Sequence, residues 1–531
     1  MRFRQHALGA QRSFQPDADG GSPGDRRDAA PAGDARTRKH PDPGGHSVHD
    51  VHARCRRGLH ARYVSDSFGY PDGGLDVHSR HADAVRRYAH RDAVNGSSDT
   101  HGPVDADPAS VLPAHTHLPA DARASAHAHA PTHADAVLSP ASSGISICAM
   151  PRPPGRSLTA AALRGSPYSS LLARMAAHRG EIFPLHVGDT WRQAPEGGRP
   201  EELPRGIPGI NRYTDVKGLP ELRDAIVERM RSRTGASLAR ANVLVTGGAT
   251  AGLMAAVGAL VSPGEEVLLL APRWPLIEGH VRMAGATPVE VPFFLGDLSP
   301  ASAVAAVEAH ATEKTVALYV NTPNNPTGRL IPRATLAALV DWAGRRDVWI
   351  FADEVYEDYA YAGEHASTLA LAPGRTVAAH SLSKAYGLAG ARCGWLAGPE
   401  GALEEIVKFG AHTIYSAPTA SQHAALRILA GAGDAWVDEA RAEYRATGTE
   451  AARRLGVPAP EGGSFLLVDA AGALDARGLL GLLEDCADEG LFLAPGPSFG
   501  PFPTHVRICF TAVPPETALR GVDILARHLR R

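Results

Sequence analysis

From about residue 206 onward, short runs rich in Val and Leu alternate with Ala- and Leu-rich stretches of helical length, and this alternation leaves few folds open. Val243–Val245, Val267–Leu270, Val289–Val291, Val316–Val320, Val348–Ala352 and Val377–Ala379 read as strands. Runs that are apolar throughout, rather than at every second position, belong to a sheet covered on both faces. Between them, Ala301–His310 and Arg333–Ala343 read as covering helices, each with a Pro in its first turn or just before it. The expected fold is α/β, with a mostly parallel sheet in a large domain over residues 206–425. After Gly433 the pattern changes to a helix around Trp436–Leu455, strand-like Ser464–Val468 and Val506–Phe510, a stretch Leu479–Glu489, and a last helix running to Arg531. Residues 426–531 therefore read as a smaller α+β domain, joined by the N-terminal segment 150–205.

The first 149 residues do not share this pattern. They hold 17 Asp and no Glu, 16 Arg against one Lys, 15 of the 25 His, and no Trp. The stretch is neutral overall, has no helical or strand periodicity, and carries too little apolar material to offset the entropy of ordering a packed domain. It reads either as a disordered extension or as a miscalled start, with Met150 the true first residue. Asp without Glu and Arg without Lys is the bias expected when GC-rich DNA is read in a wrong frame. His115-Thr-His117 and His127-Ala-His129 have no paired Cys and no fold around them, so no metal site is expected.

The net charge of −3 falls in the remaining part, which shows no basic face for nucleic acid and no secretory segment after Met1 or Met150. Val243–Val261 is a 19-residue run without charge, long enough to mimic a membrane span. Its Thr246-Gly-Gly interruption points instead to a buried strand, a turn and a helix. The five cysteines (55, 148, 393, 486, 509) have no disulfide or metal-ligand spacing, which fits a reducing cytoplasm.

The reactive candidate is Lys384, in Ser381-Leu-Ser-Lys-Ala-Tyr-Gly, with a second cation eight residues on at Arg392. Burial beside another cation disfavours the ammonium form, and a neutral amine is the form that attacks an aldehyde. Gly247-Gly-Ala-Thr250 follows a strand and opens a helix, which gathers free backbone N–H groups into an anion site. Asp353 ends a strand, at the sheet edge where ligands bind in open α/β folds, although an Asp there is more commonly a helix cap. Asn321-Thr-Pro-Asn-Asn-Pro-Thr-Gly328 fixes a rigid loop after a strand. Arg507 is a charge inside an apolar strand and needs a partner.

These segments, in this order, resemble the class I/II aminotransferase family of fold-type I pyridoxal-phosphate (PLP) enzymes over residues 180–531. The resemblance implies pyridoxal 5'-phosphate as cofactor, with Lys384 forming the internal aldimine and then moving a proton between substrate and cofactor. It implies that Asp353 pairs with the pyridinium nitrogen and that Tyr356 and Asn325 hydrogen-bond the ring 3′-oxygen. Gly248, Ala249, Thr250, Ser381, Ser383 and Arg392 would hold the phosphate. Trp274 would lie against the ring, where a buried core Trp is the plain alternative, and Tyr213 would reach the phosphate of a second subunit in a homodimer. Gly188 and Arg507, with Asn325, would bind the substrate α-carboxylate.

The implied reaction moves an amino group from an α-amino acid to a 2-oxo acid. Elimination, oxidation or cyclisation on the same fold is the alternative, because the fold alone does not choose the product. A regulator with an aminotransferase-like domain behind a DNA-binding domain is a further reading, but residues 1–149 lack amphipathic helices and a basic recognition face. Aspartate-specific relatives carry an arginine three residues before a Tyr-Ser-x-Pro; here His412 precedes Tyr415-Ser-Ala-Pro418. An imidazole lacks the two-donor fork that recognises a carboxylate, so a neutral or larger, aromatic amino acid is expected in place of aspartate.

Overall fold

A computed structural model describes residues 155, 157–163, 165 and 171–530. The expectations for residues 1–149 lie outside the described residues.

The alternating runs form a seven-stranded sheet from β1 (Val243–Thr246), β2 (Glu266–Ala271), β3 (Thr287–Pro292), β4 (Thr315–Asn321), β5 (Trp349–Asp353), β6 (Thr376–Ser381) and β7 (Gly394–Ala397), in the order β1-β7-β6-β5-β4-β2-β3. Strands β3, β2, β4, β5 and β6 run parallel, while β7 is antiparallel to both β1 and β6. The sequence reading did not include β7. Its four residues are too short for a periodic signal and follow directly on the lysine segment.

Apolar residues on both faces of the strands are buried, as the continuous runs require, except on the edge strand β3, where Val291 alone is buried. Leu269, Tyr319, Phe351, Val377 and Leu396 belong to one core, packed with the helix Ala249–Leu260. Leu268, Leu318, Ile350, Ala352 and Ala378 belong to the other, packed with Arg333–Arg346. The expected helices are present as Pro300–His310 and Arg333–Arg346, the first opened by Pro300 and the second directly preceded by Pro332. The uncharged run is divided into β1, a turn and a helix, and no described helix is long and apolar enough to cross a membrane.

The C-terminal part builds a second sheet, with β10 (His505–Cys509) between β8 (Phe465–Asp469) and β9 (Ala494–Pro495), all antiparallel. Its core takes Leu466, Val468, Val506 and Ile508 from the strands and Val522 and Leu525 from the helix Pro515–Leu529. Phe183 and Leu185 pack into the same core, and Phe183 forms a bridge with Leu491. On β10 the alternate positions, Arg507 and Cys509, face the other way; Cys509 packs with Tyr356 and Phe465. Period-two alternation thus takes a charge out of an apolar strand's core and turns it toward the large sheet.

Candidate active site

The C-terminal ends of the parallel strands place the candidate residues along one edge. Gly248 caps the helix Ala249–Leu260 at φ +84°, and a Cβ there would lie 2.6 Å from an Arg392 nitrogen. The first N–H groups of that helix, including those of Ala249 and Thr250, have no intrahelical partner. Arg392 is exposed and donates to the carbonyls of Ala389 (2.8 Å) and Gly247 (3.2 Å). Among the described residues it has no acidic partner within salt-bridge distance. Ser381 caps the short helix Leu382–Ala385, and its Oγ lies 2.8 Å from that of the buried Ser383. Gly394 brings β7 close to this cup: a Cβ there would meet the Ala249 nitrogen at 3.1 Å and the His380 carbonyl oxygen at 2.5 Å.

Asp353 ends β5 and is buried. Its Oδ2 accepts a 2.7 Å hydrogen bond from the Tyr319 hydroxyl, while Oδ1 has no hydrogen-bond partner among the described residues. Burial pushes this carboxyl up to about 6, against the lowering effect of Tyr319, the Val355 N–H and His380. From Asp353 the contacts run through Asn321, whose Nδ2 donates to the Asp353 carbonyl (2.9 Å) and whose Oδ1 accepts from the Asn325 N–H (2.7 Å). Asn325 Oδ1 in turn accepts from Arg507 Nη1 at 3.0 Å.

Arg507 is buried, with its guanidinium over the rings of Phe465 (4.3 Å) and Phe499 (4.9 Å). Its Nη2 donates to the His186 carbonyl at 2.6 Å, and Nε has no hydrogen-bond partner among the described residues. Among the described residues no carboxylate pairs with it. Gly188 lies beside it; a Cβ there would be 3.2 Å from Phe465 and 3.8 Å from Arg507 Nη1. The Gly188 carbonyl accepts a hydrogen bond from Lys384 Nζ. Burial depresses the Lys384 pKa, with Arg507 and Arg392 adding to the effect and Asp189 and Cys509 opposing it. The sequence argument named burial and Arg392; burial leads, and Arg507 contributes ahead of Arg392.

Tyr356 is buried, edge-on to Phe465 at 5.6 Å. Trp274 is half-buried, directly precedes the helix Pro275–Met283 and meets His280 edge-on at 5.6 Å. Tyr213 stands apart from this cluster: it is 85% exposed and touches the exposed Tyr415 edge-on.

Sequence reasoning missed Tyr319, Asn321, Asp189 and His380. His380 stacks on Trp395 at 5.4 Å, with Nδ1 3.3 Å from Glu357. Burial opposes its imidazolium, but Glu357 and Glu354 outweigh that and raise its pKa. A polar residue inside an expected buried strand is the signal that finds Tyr319, and His380 directly follows such a strand, Val377–Ala379.

The model of aminotransferase class I and II matches residues 200–525. The chain belongs to the class I and II aminotransferase family. It is similar to the aspartate/prephenate aminotransferase of Thermus thermophilus, 33% identical over 332 residues that cover 61% of this chain and 84% of that one. An arginine–pyruvate transaminase of Pseudomonas aeruginosa is 32% identical over 364 residues, 66% of this chain and 91% of its own. Among solved structures, a double mutant of Thermus thermophilus aspartate aminotransferase superposes with a TM-score of 0.66 at 29% identity, covering 70% of this chain and 99% of that one.

This aminotransferase uses pyridoxal 5'-phosphate and acts on amino acids and 2-oxo acids. Its residues fit that cofactor. A buried carboxylate oxygen without a partner suits a protonated ring nitrogen, and a helix N-terminus beside an uncompensated arginine suits a phosphate. Gly248→Ala forces a side chain into a conformation essentially reserved for glycine, at a strain of roughly 1–3 kcal/mol, and directs its Cβ at Arg392. Cofactor-free Gly248→Ala protein is therefore expected to bind pyridoxal phosphate about tenfold more weakly by fluorescence titration. Unchanged affinity would separate this cup from the phosphate.

Proposed function

We propose that Lys384 is the catalytic amine, and that the residues around it divide the remaining work. What supports this is the convergence on one spot of a pKa-depressed lysine, the uncompensated Arg507 and the Arg392 cup. Bound there, the cofactor supplies an electrophilic aldehyde and an electron-withdrawing ring. Ser381, Ser383, Arg392 and the N–H groups of Gly248, Ala249 and Thr250 hold its phosphate. Asp353 holds the proton on the ring nitrogen, Asn325 and Tyr356 orient the ring oxygen, and Trp274 lies against the ring. Arg507 and Asn325 bind the substrate carboxylate with Gly188 alongside. Lys384 takes the proton from the substrate Cα, and its lowered pKa keeps the amine neutral further down the pH scale than an ordinary lysine.

The exposed Tyr213, with Tyr415 and Ile414 also exposed beside it, supports a homodimer in which Tyr213 completes the partner's phosphate cup. The buried free cysteines Cys393 and Cys509 are in keeping with the cytoplasm, which cell fractionation reads directly. For the amino donor we favour a neutral amino acid over aspartate. His412 ends the helix Glu400–Ala411 and offers no bidentate fork, and Arg507 is walled by Phe465 and Phe499.

Lys384→Ala is expected to lower kcat by about 1000-fold or more. Borohydride should then no longer attach the cofactor to the peptide carrying residue 384; full activity with attachment elsewhere refutes the assignment. In a panel of amino donors, aspartate should not give the highest kcat/KM, and if it does, the reading of His412 is wrong. Sedimentation at assay concentration should report a dimer, and a fully active monomer contradicts the composite site.

A further inference from the structure

Tyr319 belongs to none of the motifs that point to the cofactor. It lies on β4, fully buried, two residues before Asn321. Parallel register sets Tyr319 opposite Phe351 and Asn321 opposite Asp353, so all four side chains project on one face of the sheet. The phenol reaches one pleat along that face and places its oxygen 2.7 Å from Asp353 Oδ2. Asn321 is already engaged with the Asp353 backbone carbonyl, and the other carboxylate oxygen, Oδ1, has no hydrogen-bond partner among the described residues.

We propose that Tyr319 is a positioning residue: its hydroxyl pins Oδ2 of Asp353, fixes the carboxylate rotamer, and leaves Oδ1 as the open acceptor for the cofactor's ring nitrogen. The proposal rests on the assignment of Asp353 made above and adds the residue that prepares it. A carboxylate free to rotate presents either oxygen and is readily protonated in a buried site; one held by a donor presents a single oxygen and stays ionised more readily.

The groups facing Asp353 are Tyr319 from β4, His380 from β6, and Glu354 and Tyr356 from its own segment, while Arg273 beyond β2 acts on Tyr319. Of the side chains, Tyr319 alone makes a hydrogen bond to the carboxylate; the Val355 N–H adds a backbone contribution, and His380 and Glu354 act through charge. Burial raises the Tyr319 pKa well above that of an ordinary phenol, so the hydroxyl remains a donor throughout the working range. Because the bond favours the carboxylate, its removal raises the Asp353 pKa further from about 6, and the ionised form is then lost at a higher pH.

Tyr319→Phe keeps the ring and removes only the donor. Cofactor-free Tyr319→Phe protein, titrated with pyridoxal 5'-phosphate, is expected to bind about tenfold more weakly, with a greater loss at pH 6 than at pH 8. The acid limb of its kcat/KM profile is expected to move to higher pH. In an Asp353→Asn background the same substitution should have little further effect on affinity, since the two residues act as one unit. Affinity and acid limb equal to the parent's, or effects that add to those of Asp353→Asn, overturn the proposal. A lowered melting temperature with an unmoved pH profile also overturns it, because that is what a purely structural tyrosine produces. If Asp353→Asn is damaging while Tyr319→Phe is silent, only this proposal falls; if Asp353→Asn is itself silent, the assignment of Asp353 falls with it.

Discussion

A carboxylate buried at the end of a central strand sets the terms for the rest of this site. Taking a charge such as Asp353 out of water costs several kcal/mol unless it is paired or hydrogen-bonded, and among the described residues no cation lies within salt-bridge distance of it. The neighbouring strands reduce the cost in part. β4 contributes a phenol to one oxygen and an amide to the backbone carbonyl, and β6 contributes an imidazole held near Glu357. The remaining oxygen carries the unsatisfied part. A full salt bridge would stabilise the apoprotein better and leave nothing for a ligand to complete.

The same logic explains why strand order matters more than strand length. Asp353, Asn321 and Ser381 stand at the C-terminal ends of β5, β4 and β6, which are adjacent because the parallel connections place them so. β7 starts opposite Thr246, beside the helix end capped by Gly248, and runs back between β6 and β1 away from it, which leaves Arg392, just ahead of β7, at that helix end. The close approach of Gly394 to the Ala249 nitrogen and the His380 carbonyl leaves no room for a side chain there. Two glycines from different segments thus shape one cup, the first through its backbone conformation and the second through contact distance.

Much of this could be read in the sequence, and what could not has a common cause. Lys384, Asp353, Asn325 and Arg507 are chemically conspicuous: a lysine among hydroxyls, an acid at a strand end, a proline-fixed asparagine loop, and a charge in an apolar strand. Five of the strands were visible because double-sided burial demands unbroken apolar runs; Val289-Glu-Val291 is broken by Glu290 and belongs to the edge strand. Tyr319 was hidden by that same rule, since an aromatic ring inside a run passes for core until the neighbouring strand shows what its polar atom meets, and His380 fell one residue past the run Val377–Ala379 although β6 continues to Ser381. The link from Gly188 to Lys384 spans 196 residues, and no local pattern encodes it. The four residues of β7 carry too little periodicity to be separated from the loop before them.

Arg507 shows how a buried charge can be held in place without being cancelled. Asn325 Oδ1 and the His186 carbonyl accept from its two terminal nitrogens, while Phe465 and Phe499 lie against the guanidinium. Neutral acceptors and ring faces satisfy hydrogen-bonding directions and fix the plane, but they remove no net charge. An aspartate in the position of Asn325 would hold the guanidinium more tightly and leave it little attraction for an incoming anion. Neutral partners therefore divide two properties that a salt bridge would merge: the geometry is set by the protein, and the charge is left to be compensated by an incoming anion, which on the proposed reading is the substrate carboxylate.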